Sequence, residues 1–61
     1  MREQLEHMPY GKLRDGDSFS FADSLGLSWV RCRGGFRPGL GGQIHTTRPH
    51  VPVVRRTWVA P

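Results

Sequence analysis

Beyond Asp23 the chain has no acidic residue, although 38 of its 61 residues lie past that point. Those residues carry six arginines (Arg31, Arg33, Arg37, Arg48, Arg55 and Arg56), a net +6. Residues 1–23 set Arg2, Lys12 and Arg14 against Glu3, Glu6, Asp15, Asp17 and Asp23, a net −2. Such a split predicts a binding face for something anionic, either phosphate or an acidic protein surface. Serine is also absent after Ser28. With no carboxylate after Asp23 and no serine after Ser28, His45 and His50 lack an obvious local partner for a nucleophilic triad, and the chain reads as a non-enzyme.

Cysteine is nearly absent too. Cys32 is alone, so no intramolecular disulfide can close, and with only His7, His45 and His50 beside it the paired ligand spacing of a structural zinc site is missing. No metal and no cofactor are expected. The amino terminus, Met-Arg-Glu-Gln-Leu-Glu-His, is charged, and nowhere do the roughly 18 apolar residues of a membrane span run together. A cytoplasmic protein with no membrane partner is the expectation. There is no internal repeat and no heptad pattern. A chain of this length forms one domain, residues 1–61, that buries only about 60% of the surface its unfolded form exposes. It has little room for a deep pocket.

What is present is mostly strand and turn signal. Residues 2–8 place Leu5 and Met8 three apart and end at Pro9, which predicts one or two helical turns, with residues 1–10 frayed or docked on the rest. From Asp17 the period becomes two. Phe19 and Phe21 face one side and Ser18 and Ser20 the other, a turn follows at Asp23-Ser24-Leu25-Gly26, and Leu27 to Arg33 alternates again. A hairpin over 17–33 follows, with the phenylalanines beside Trp29 or Val30. Residues 34–42 hold five glycines and a proline and read as a loop. Gln43 to Thr47 reads as a short strand, and Val51 to Val59 as a longer one whose Pro52 places its start at an edge. The fold class is therefore mainly β: a small antiparallel SH3-like barrel or curled sheet of four or five short strands with a short N-terminal helical turn.

Candidate binding residues cluster in Arg31-Cys32-Arg33-Gly34-Gly35-Phe36-Arg37, where guanidiniums bond phosphate, glycines admit its approach and the ring of Phe36 stacks on a base, or else the segment is a hairpin loop with solvated arginines and Phe36 tucked into the core. Arg-Gly-Gly-Phe resembles one unit of the Arg-Gly-Gly repeats of RNA-binding tails. Arg48 lies between His45 and His50. Arg55 and Arg56 point to opposite faces of their strand, and Trp58 falls on the Arg56 side, as a partner anchor or a core-closing residue. Pro38-Gly39-Leu40-Gly41-Gly42-Gln43 is no Walker A loop, because no Lys-Ser/Thr pair follows. Gly41-Gly42-Gln43 superficially resembles the loop of peptide-release factors, but only as far as Thr47 and without the surrounding pattern.

The run Leu13-Arg14-Asp15-Gly16-Asp17-Ser18-Phe19-Ser20-Phe21, followed by Trp29-Val30-Arg31 and a glycine-rich turn, resembles small β proteins encoded by bacteriophages and prophages. That resemblance implies a viral accessory protein, one that binds and redirects a host factor in the bacterial cytoplasm, and it brings no site residues with it. Two partners then remain open for the arginine-rich region. One is nucleic acid or a complex that handles it. The other is an acidic surface on a host protein such as RNA polymerase or a defence enzyme.

Overall fold

Five antiparallel strands form one open sheet in the computed structural model, which describes residues 2–39 and 41–59. The strands are β1 (Arg2–Pro9), β2 (Ser18–Phe21), β3 (Ser24–Cys32), β4 (Gly35–Pro38) and β5 (Pro52–Val59), in the order β1-β5-β2-β3-β4. A 3-10 turn, Tyr10–Lys12, follows β1. No ladder among the described residues joins β1 to β4, so of the two expected arrangements the curled sheet is the one observed.

The hairpin read from the period-two pattern is present, with Phe19 opposite Trp29 and Ser18 opposite Val30. Its turn is tighter than expected, at Ala22 and Asp23, and the register then shifts. Four residues, Leu25 to Ser28, oppose the single Ser20 between the Phe21↔Ser24 and Phe19↔Trp29 pairs. Such an insertion bends the strand and sends side chains off the alternation. Leu25 and Leu27 are accordingly exposed.

Four expectations are corrected. Residues 2–8 form a strand rather than helical turns, because an unbroken ladder with β5, from Arg2↔Val59 to Pro9↔Pro52, satisfies their backbone more fully than a two-turn helix does. Residues 35–38, read as loop, form β4, joined to β3 through the two-residue turn Arg33–Gly34, where Gly34 supplies φ +90. Pro52 does not mark an edge, since β5 lies between β1 and β2. Its missing N–H falls at the end of the β1 ladder, opposite Pro9. Of Gln43 to Thr47, only His45 pairs, as an isolated bridge to Phe36.

The core lies on the concave face. Tyr10, Leu13, Phe19, Phe36 and Val53 are buried, with Met8, Phe21, Trp29 and Val51 packed around them. Phe19 and Phe36 belong to strands separated by β3, yet their rings meet edge-to-face at 5.8 Å, which requires the sheet to curl toward them. Two covering segments close this face. Gly11 N–H donates to the Pro49 carbonyl at 2.8 Å, and Tyr10 N–H to that of Val51 at 2.8 Å. Phe36 and His45 exchange both backbone bonds at 2.8 Å.

Candidate anion- and partner-binding surface

Folding brings the acidic N-terminal third against the basic remainder, and the six arginines separate into two groups. Arg31 lies in β3 with its guanidinium over the Tyr10 ring, 5.1 Å from the centroid. Its Nη1 donates to the carbonyls of Cys32 and Gly35 and stands 3.8 Å from Asp15. Arg55, on the core side of β5, meets Glu6 at 3.2 Å and Asp17 at 4.0 Å. Arg56 points the other way, as the alternation requires. It holds Glu3 through two bonds of 2.9 Å, and its Nη1 donates to Ser20 Oγ, Ser28 Oγ and the Leu25 carbonyl. The hydrogen bond to Glu3 raises the Arg56 guanidinium above its ordinary value, so its charge is fixed.

These three arginines serve the fold. Arg31 ties the β3–β4 turn to the segment before β2, Arg55 joins β1 to Asp17 just ahead of β2, and Arg56 pins the Leu25–Ser28 insertion onto the sheet. Phe36 is also withdrawn from the expected surface. It is 6% exposed and its ring packs against Tyr10, Phe19, Phe21 and Trp29, so of the two places read for it from the sequence, a stacking surface and the core, it takes the core.

Arg33, Arg37 and Arg48 have no acidic partner among the described residues. Arg33 is exposed in the β3–β4 turn, Arg37 is half-buried on the face of β4 opposite Phe36, and Arg48 is exposed beside Pro49. Two cations that the motif reading passed over join them. Lys12 belongs to the turn that Pro49 binds through Gly11, which places it on a segment adjoining Arg48. Arg14 stands just before Gly16, whose N–H donates to the Arg31 carbonyl at 2.6 Å, near the strand end that leads to Arg33. The signal for both was charge alone, because neither sits in a recognisable motif.

Trp58 is 65% exposed, directly across the ladder from Glu3, which settles its place at the surface rather than in the core. Leu5 lies opposite Arg56 in the same ladder, and Leu25 is bonded to Arg56 through its carbonyl. Leu5, Leu25 and Trp58 therefore surround the paired Arg56. His45 is exposed, though its ring touches Trp29 and Phe36, and His50 is exposed in its turn. No helix is long and apolar enough to cross a membrane among the described residues.

No protein-family model, curated protein or solved structure matches the chain.

Proposed function

We propose that the chain is a small, non-enzymatic, phage-encoded basic protein of the host cytoplasm whose uncompensated cations engage nucleic acid or a complex that handles it. One observation carries this reading. The fold occupies Glu3, Glu6, Asp15 and Asp17 with only three arginines, Arg31, Arg55 and Arg56. Those three guanidiniums leave one of the four carboxylates in excess, so Arg2, Lys12, Arg14, Arg33, Arg37 and Arg48 are offset only by that charge and Asp23, a net +4. A surface of that kind attracts a polyanion whose condensed counterions are released on contact.

Salt dependence is the test. Binding of single-stranded RNA and of duplex DNA, followed by fluorescence anisotropy, is expected to weaken linearly with log salt. Arg33→Ala, Arg37→Ala and Arg48→Ala should each reduce the slope by about one wherever that arginine meets a phosphate. Affinity that stays flat from low to high salt overturns the reading.

A second reading has its own observation, the exposed Trp58 with Leu5 and Leu25 around a paired arginine. Tryptophan and arginine are the side chains that most often dominate protein interfaces. On this reading the chain is a regulator of a host protein. Its complex survives nuclease treatment, and Trp58→Ala removes it while the salt slope for nucleic acid is unchanged.

A further inference from the structure

We infer that the outer edge of β1 is a self-association surface, where a second copy of this chain adds its own β1 antiparallel about a two-fold axis through Leu5. The edge is separate from Arg33, Arg37 and Arg48, so this pairing and the polyanion reading can fail independently.

The two edges of the sheet are treated differently. β4 is four residues long, ends in Pro38, and has its outer side met by the backbone of His45. β1 is eight residues long and runs against β5 without a bulge, and no described residue pairs with its outer side. Gln4, Leu5, Glu6 and His7 are exposed in succession. Proteins that must keep an edge monomeric shorten it, bulge it, or place lysine or proline in it. β1 has the terminal Pro9 and no lysine, and its carboxylates Glu3 and Glu6 are engaged by Arg56 and Arg55 of β5, so its unpaired N–H and C=O groups form a template for another strand.

The sequence of β1 fits a copy of itself. Antiparallel strands bond only where outward-facing residues align, so the allowed registers pair residues of like parity. With Leu5 opposite the partner's Leu5, Glu3 faces the partner's His7 and Gln4 faces the partner's Glu6, each twice by symmetry. No like charges oppose each other. Moving the axis to Glu6 sets two carboxylates together, and moving it to Gln4 shortens the ladder. On the face that carries Leu5, Trp58 sits beside Glu3 and Leu25 beside Arg56. Two half-exposed leucines at the axis therefore meet within an apolar surround. Ten strands would then run as one continuous sheet.

Sedimentation velocity of the full chain across a concentration series, up to about 1 mM, tests this together with amide exchange of β1. The expected result is a mass rising from 6.9 kDa towards twice that, with protection appearing at alternate β1 amides as concentration rises. Leu5→Lys and His7→Glu should each weaken the dimer roughly tenfold, because symmetry counts each cross-strand contact twice. His7→Lys, which sets a cation opposite Glu3, should leave it within about threefold. Both positions are exposed, and unchanged far-ultraviolet dichroism confirms that the variants fold. A monomer at every concentration overturns the proposal, as does a dimer indifferent to all three substitutions. Protection of β1 that appears only with an added foreign strand peptide assigns the edge to another protein and overturns it equally.

Discussion

Gly35 shows how one position can hold a covering segment in place. A Cβ built there would fall inside the radius of the His45 carbonyl oxygen and press on Ile44 Cγ2 at 3.0 Å, so the backbone of residues 44–45 sits on β4 only because no side chain intervenes. Gly35→Ala is expected to cost about 2 kcal/mol or more through overpacking, lowering Tm by roughly 10 °C. Gly26→Ala, with nothing within 4 Å of the new methyl, should leave Tm near the parent value, and differential scanning calorimetry of the pair checks the contrast. Tyr10 provides a residue-scale reporter. Burial raises its hydroxyl above the ordinary 10.0, with the facing Arg31 guanidinium partly opposing the shift. The folded chain thus keeps a proton that the unfolded chain releases. That stabilisation is complete below about pH 10 and is lost as pH rises through the higher folded value. Tyr10 is the sole tyrosine, so tyrosinate absorbance reads it alone. The native titration should lie on the alkaline side of the titration in denaturant, and coincident curves would contradict the burial.

At the scale of elements, Arg56 joins three pieces of chain that sequence order keeps apart: β1 through Glu3, β2 through Ser20, and the Leu25–Ser28 insertion through Ser28 and the Leu25 carbonyl. Arg56→Met keeps much of the side-chain volume but removes every donor. The insertion is then expected to lose amide protection from Leu25 to Ser28, while Trp29 to Cys32, held by β2 and β4, keeps theirs. Uniform loss across β3 would show that Arg56 supports the whole sheet instead. Elements were legible in the sequence to different degrees for identifiable reasons. β2 and the second half of β3 announce themselves because apolar and polar side chains alternate along them, with Phe19, Phe21 and Trp29 on the core side, even though Ser20 is buried as well. β1 does not, since Glu, Gln, Leu and Met favour helix and its strand form depends on a partner some fifty residues away. β4 is hidden by glycine, which local propensity counts against a strand although Gly35 is needed for the close approach of His45. The candidate site was legible as charge but not as geometry. Arg31, Arg33, Phe36 and Arg37 are near neighbours in sequence, yet Asp15 and the Gly35 carbonyl claim Arg31, the core claims Phe36, and only Arg33 and Arg37 are left without an acidic partner.

For the whole molecule, topology divides the fold into a local and a distant part. β2, β3 and β4 form a meander within residues 18–38, closed by short turns, whereas the β1–β5 ladder joins Arg2 to Val59 and β5 reaches β2 across more than thirty residues. Closing a longer loop costs more chain entropy before any contact offsets it. The meander, with Phe19, Phe21, Trp29 and Phe36 in mutual contact, should therefore form in the transition state, and β5 and β1 should dock afterwards. Two truncations separate these stages. Phe21→Leu removes ring contacts with Phe19, Trp29 and Phe36 of the meander, its one pairing outside it being with Val53, so its loss of stability should appear chiefly as slower folding. Val53→Ala removes a buried side chain opposite both Met8 and Phe21, a loss of about 1–3 kcal/mol that should appear chiefly as faster unfolding. Stopped-flow chevrons decide between the two. If Val53→Ala instead slows folding in proportion to its destabilisation, the distant ladder is already present in the nucleus. Electrostatic attraction between the acidic N-terminal segment and the arginines of β5 then has to offset the closure entropy, and raising the salt concentration should slow folding of the parent chain as well.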